Sequence, residues 1–196
     1  MIDTRRYQMA IGAIGLLLLV SFSVYLYVNG GHRTHPGVAA GHQLRHFVAP
    51  LATSNLNAPA NVSPHCNPAR PARRGLNVCG RRAIVLAFFA LGAKPCIRAV
   101  TALQGLVRRY PQFAFAAVAA GGGRLATLRL THREHWTLPV AYDSSAAVAQ
   151  LYDVSVCPMI EVAGAGGTVR RLLIGERWER ASATAAVLAR VLSERR

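Results

Sequence analysis

Hydrophobic positions divide this chain into three textures. Met9 to Val28 is one uncharged run of 20 residues (MAIGAIGLLLLVSFSVYLYV), a polar, Gly- and Pro-rich stretch follows to about Arg82, and from Ala83 short apolar blocks alternate with mixed ones. At 1.5 Å per residue the first run makes a helix of ~30 Å, the thickness of a hydrocarbon core. Arg5 and Arg6 precede it, and Tyr25 and Tyr27 suit the far interface. The competing reading is a cleaved signal peptide. Against it, the run is longer than a typical signal core, and Val28-Asn29-Gly30-Gly31 is not an A-x-A-like cleavage site. The pattern therefore predicts a cytoplasmic N-terminus over 1–8, a transmembrane anchor over 9–28 and the remainder outside the cytoplasm. Arg33 and Arg45 dilute the charge asymmetry that sets this orientation.

Residues 29–60 show little periodicity and predict a flexible tether with one candidate strand at His46–Leu51. Residues 61–196 are expected to form the folded domain. Asn61–Arg82 is irregular, with Pro64, Pro68, Pro71 and Gly75. Ala83–Ala90 (AIVLAFFA) and Phe113–Ala120 (FAFAAVAA) are unbroken apolar runs, as in strands buried on both faces. Between them, Ile97, Val100, Leu103, Leu106 and Val107 recur at helical spacing over Cys96–Tyr110, and Pro111 ends the run. Further expectations are a helix near Leu125–His132, a strand at Leu138–Tyr142 and a helix at Ser144–Tyr152. Two strands, Met159–Ala163 and Val169–Ile174, should form a hairpin around Gly164-Ala165-Gly166-Gly167, and a helix at Ala181–Leu192 closes the chain. This order predicts an α/β fold with a central mixed sheet flanked by helices.

Composition adds a charge argument. Net charge is +15, all but one of the 23 basic residues are arginine, and no acidic residue stands between Asp3 and Glu134. A basic surface of this kind suits anionic lipid or an acidic protein partner. No nucleic-acid motif with interleaved aromatics accompanies it, so nucleic acid is not an expected partner. Trp136 and Trp178 read as core residues, Arg170-Arg171 as a solvated strand edge, and Glu161 as the partner of an arginine.

Four cysteines remain: Cys66, Cys79, Cys96 and Cys157. An even number suits two disulfides in an oxidising compartment, with three connectivities open. A Cys66–Cys79 bridge would close a short loop in a segment with little core of its own. Histidines at 32, 35, 42, 46 and 65 raise metal binding as a question. Most lie in the expected tether, so neither a metal nor an organic cofactor is expected.

Three landmarks carry a family resemblance: Phe88-Phe89-Ala90-Leu91-Gly92-Ala93-Lys94-Pro95-Cys96, Leu138-Pro139-Val140-Ala141-Tyr142-Asp143 and Tyr152-Asp153-Val154-Ser155-Val156-Cys157-Pro158. In this order, from Ala83 to the C-terminus, the chain resembles the thioredoxin-like superfamily. It is most similar to membrane-tethered redoxins of the TlpA/ResA type and their AhpC/TSA-related peroxiredoxin relatives. The resemblance implies a thioredoxin-like fold, a cis peptide before Pro158 and a position for Cys157 against the turn that carries Cys96. It also exposes a departure: Ala93 stands where the first cysteine of the family's C-x-x-C belongs, and Gly92 replaces a tryptophan. Cys96 alone cannot both attack and resolve. With Cys157 beside it, Cys96 would be the reactive thiol, favoured by a helix N-terminus and by Lys94 and Arg98.

The expected function is thiol–disulfide oxidoreductase chemistry on thiols or disulfides of envelope proteins. Cys96, Cys157 and Pro158 form the expected site, and Cys66–Cys79 the structural bridge. The alternative is a binding module that has lost turnover and uses its basic face. A peroxidase is the weaker third reading, because Ala90 and Ala93 replace the residues that activate a peroxidatic cysteine.

Overall fold

The computed structural model describes Gly12 and residues 14–25, 36–66, 75–79 and 82–194. The chain divides into two compact units, Met1–Thr34 and His35–Arg196. In the first, Gly12 and residues 14–25 are helical, and Ile14, Leu16–Val20, Phe22, Val24 and Tyr25 are all exposed. No helix among the described residues is long and apolar enough to cross a membrane. The expected span 9–28 has both its ends outside the described residues.

The second unit is built on a five-stranded sheet in the order β5-β4-β3-β6-β7. Its strands are β3 (Ala83–Phe89), β4 (Phe113–Ala120), β5 (Val140–Asp143), β6 (Met159–Ala163) and β7 (Val169–Ile174). Parallel pairing joins β3 to β4 and β4 to β5, whereas β6 runs antiparallel to both β3 and β7. All seven residues of the central β3 are buried, which is why that sequence is apolar without alternation. Its side chains still sort by the pleat. Ala83, Val85, Ala87 and Phe89 join one core cluster, and Ile84, Leu86 and Phe88 join another on the opposite face.

Helices cover the first face. Cluster residues Val100 and Leu103 of α1 (Lys94–Leu106) pack there, as do Ala185, Leu188 and Val191 of α4 (Ala181–Ser193). Leu130 of α2 (Arg124–Arg133) joins the same cluster, as does Trp136, whose ring meets Phe89 edge-on. A short 3-10 helix at Glu176–Glu179, which no periodicity announced, buries Trp178. Both tryptophans are core residues as expected. α1 starts at Lys94, two residues before the predicted start, because Pro95 in its first turn needs no amide partner.

The second face is covered differently. The short helix α3 (Ala147–Leu151) contributes Val148, but most of the cover comes from residues 36–62 and a two-stranded antiparallel ribbon, β1 (Val48–Pro50) with β2 (Gly75–Asn77). The expectation of a flexible tether over 29–60 is corrected here from Pro36 onward. Val38, Leu44, Phe47, Ala49 and Ala52 are buried. The backbone is tied down by Gly37 N–H to Tyr152 O, Gly41 N–H to Val169 O and Val169 N–H to His42 O, each 2.8 Å. The arm's apolar residues follow no single period because each docks into its own gap on the sheet. Gly37 has φ +78, and a Cβ there would lie 2.6 Å from Leu172 and 2.7 Å from Glu161, so only glycine passes at that point.

Candidate active site

β3 ends at Phe89 and the chain turns through Ala90–Ala93 into α1. The β3–β6 register pairs Phe88 with Met159. Continued by two residues, it brings Cys157 opposite Ala90, beside the turn that leads to Cys96. This antiparallel pairing makes neighbours of two cysteines 61 residues apart. They form a disulfide with Cα atoms 5.5 Å apart. The Cys157–Pro158 peptide is cis, as the resemblance implied, and the Pro158 carbonyl accepts a 3.1 Å hydrogen bond from Gly175 N–H.

The two sulfurs have unequal surroundings. Cys96 is the third residue of α1 and 1% exposed, packed within the helix-covered core. Cys157 is only partly buried, its sulfur lies 3.7 Å from the Phe88 carbonyl oxygen, and its neighbour Val156 is 42% exposed. Ala93 occupies the N-cap of α1 without a side-chain cap, Pro95 has no N–H, and the Cys96 and Ile97 amides each donate 3.1 Å to the Ala93 carbonyl. The positive end of the helix dipole and the exposed Lys94 favour negative charge on Cys96 once the bridge opens. Arg98 does not add freely to that field, because its Nε donates a 2.6 Å hydrogen bond to the Glu179 carboxylate. Glu179, whose other carboxylate oxygen is buried without a partner, is a residue near this turn that the sequence did not single out.

Glu161 corrects a second expectation. It forms no arginine pair within 4 Å among the described residues. Instead it is fully buried in β6, on the arm-covered face, where Oε1 accepts a 2.6 Å hydrogen bond from Val38 N–H and Oε2 has no partner. Burial pushes its carboxyl up to about 7, against smaller opposing effects of the Val38 amide and Arg45. Arg45 spends its guanidinium on the Leu151 carbonyl and, at 3.4 Å, on Asp153. Tyr152 beside it donates a 2.6 Å hydrogen bond to Arg45 O, and burial first, then the Glu161 charge, raises its pKa. The pleat puts Glu161 with Met159 and Ala163, whereas Ile160 and Val162 point to the cysteine-bearing cluster. This acid is therefore separated from Cys96 by the sheet.

Cys66 and Cys79 form the second disulfide, with Cα atoms 5.4 Å apart. Arg170 and Arg171 are exposed on the edge strand β7, as expected. His32 and His35 lie outside the described residues.

No protein-family model matches this chain, and no curated protein matches it in sequence. Solved structures do match. One is a Chlorobium tepidum protein described as a candidate thiol:disulfide interchange protein DsbE, with TM-score 0.62 and 16% identity over 80% of this chain and 97% of that one. A second is a secreted Mycobacterium tuberculosis disulfide oxidoreductase homologous to E. coli DsbE, with TM-score 0.55 and 14% identity over 74% and 94%. The peroxidoxin BcpB of M. tuberculosis matches with TM-score 0.59 and 12% identity over 80% and 98%. Identities this low establish the fold and leave the chemistry to the residues of this chain.

Proposed function

Given a thioredoxin-like fold, we propose that this protein is a thiol–disulfide oxidoreductase whose exchanging bond is Cys96–Cys157. The observation that carries the reading is the disulfide between the first turn of α1 and the residue before the cis-proline, with one buried and one partly buried cysteine. Exposure assigns the order of events. A substrate thiolate attacks Cys157 Sγ in line with the S–S bond, forming a mixed disulfide, and Cys96 leaves as a thiolate at the positive end of the α1 dipole. A second substrate thiolate attacks the substrate sulfur of that mixed disulfide and releases Cys157 as a thiolate. The substrate is oxidised by two electrons and the pair is reduced by two; the reverse sequence reduces a substrate disulfide. Pro158 positions the loop. Cys96, first expected to be the attacking thiol, acts here as leaving group and resolver.

The working site is in this reading held outside the cytoplasm. Two disulfides among the described residues support an oxidising compartment. Anchoring through 9–28 is supported by the uncharged sequence of that run and by the exposed apolar side chains of residues 14–25. Envelope protein thiols or disulfides are the proposed substrates, and anionic lipid or an acidic protein the proposed ligand of the arginine surface.

The test is oxidation of a peptide dithiol, and reduction of insulin with a chemical dithiol as donor, by full-length protein, Cys96→Ser and Cys157→Ser. Loss of both activities in both variants is expected. Equal rates in all three proteins would remove the enzyme reading and leave a binding module, which Ala93 at the place of the missing cysteine favours.

A further inference from the structure

A second set of sulfur and imidazole ligands converges away from the Cys96–Cys157 turn. His46 stands two residues before β1 and Cys79 two residues after β2. Because the ribbon pairs Val48 with Asn77, continuing its register sets His46 opposite Cys79. Asn61 bridges to Val48, which starts the segment leading to Cys66 at the same ribbon. Two asparagine side chains hold the neighbouring backbone: Asn77 Oδ1 accepts 2.7 Å from Cys79 N–H, and Asn61 Oδ1 accepts 2.9 Å from Ser63 N–H. As a result one ligand atom each from His46, Cys66 and Cys79 lies within 4.8 Å of the other two. His46 is exposed and both cysteines are only partly buried, so the group is open to solvent and to small thiols.

We propose that His46, Cys66 and Cys79 form a redox-gated metal site that takes one thiophilic d10 cation, represented by zinc(II), when the disulfide is reduced. Two thiolates and one imidazole are a ligand set that such an ion prefers, and three protein ligands leave a fourth position for water or an outside ligand. An external dithiol supplies the two electrons and two protons that open Cys66–Cys79 and departs as its own cyclic disulfide. Zinc then displaces both thiol protons to solvent and is bound by neutral His46. A disulfide oxidant, such as oxidised dithiothreitol, takes two electrons from the thiolates, re-forms Cys66–Cys79 and leaves as a dithiol protonated from solvent; the ion is expelled because the disulfide sulfurs carry no thiolate charge. The reading is independent of the proposed exchange at Cys96–Cys157.

Binding to the reduced form alone raises the ratio of reduced to oxidised Cys66–Cys79 by one plus the ratio of free zinc to its Kd. Full-length protein and its His46→Ala variant are therefore equilibrated in one dithiothreitol redox buffer, with and without chelator-buffered free zinc. After an acid quench and alkylation, peptide mass spectrometry reads each cysteine pair separately. The expected result is a tenfold or greater rise in the reduced fraction ratio of Cys66–Cys79 with zinc, cut to below twofold by His46→Ala. His46 is exposed, and matching circular dichroism spectra check that the variant is folded. An unchanged ratio with zinc, or an equal rise in both proteins, overturns the site. As a second readout, one zinc per chain is expected to survive gel filtration of reduced protein and to be lost on oxidation. Zinc retained by the oxidised protein would place the metal elsewhere and also overturn it.

Discussion

The face of the sheet that carries Cys96 and Cys157 is covered by α1, α2 and α4, and its one acid described above, Glu179, is paired with Arg98. The opposite face is covered by an irregular arm and a two-stranded ribbon, buries Glu161 and has Cys66–Cys79 at its margin. Regular helices satisfy most of their own backbone, so the first face is covered mainly by apolar side chains, with the buried Thr127 and Thr131 hydroxyls donating to carbonyls four residues back. An arm without secondary structure must find partners for its amides one at a time, and the Val38 N–H finds the carboxyl of Glu161. One face thus packs the reactive bond under regular helices, and the other trades apolar cover for local polar ties.

The largest effect expected from breaking this contrast is chemical. Cys157→Ser or Cys96→Ser lowers dithiol oxidation at least a hundredfold, measured as the initial rate with a peptide dithiol, because no second thiol remains at the site. Cys66→Ser together with Cys79→Ser leaves that rate within about twofold. It lowers unfolding stability by about 3 kcal/mol, the loop-closure value for a separation of 13 residues, read by denaturant titration. A change in exchange rate there would mean that the two faces share their chemistry.

Glu161 sharpens the contrast through pH. Its folded carboxyl sits at about 7, above the ordinary 4.5, so the folded state binds more protons than the unfolded one between those values. The Glu161 contribution to stability is then fully present below pH 4.5, falls as pH rises towards 7, and levels off above it. Glu161→Gln keeps an acceptor for Val38 N–H and removes the charge. It should flatten this dependence and gain on the order of 1–3 kcal/mol at pH 8, with little gain at pH 4, measured by denaturant titration at each pH. A stability difference between parent and Glu161→Gln that stays constant over the same interval would contradict the burial of an unpaired acid. The smallest effect belongs to the helix-covered face: Tyr110 OH donates 3.0 Å to Ala185 O and ties the end of the α1 segment to α4. Tyr110→Phe is expected to cost about 1 kcal/mol and to leave both exchange and pH dependence unchanged.

Legibility in the sequence follows the same divide. β3, β4 and the β6–β7 hairpin were readable because both-face burial writes an unbroken apolar run and glycines mark the turn. The arm was not, since Val38, Leu44 and Phe47 are spaced by the gaps they fill and by no backbone period. The sequence reads Glu161 as the partner of an arginine although its setting, MIEVA, is apolar on both sides; that setting is the available signal of burial. The meeting of Cys96 with Cys157 came only through the family resemblance, because periodicity within each segment says nothing about β3–β6 register. Which of the two cysteines is the less buried depends on that tertiary contact and leaves no local trace.

The most direct measurement is the identity of the first adduct. Oxidised full-length protein is mixed rapidly with excess glutathione, quenched in acid, alkylated and mapped by peptide mass spectrometry. Glutathione is expected on Cys157, with Cys96 released as a free thiol. Glutathione on Cys96, or a Cys96–Cys157 bond left intact by the excess thiol, would contradict that order of attack.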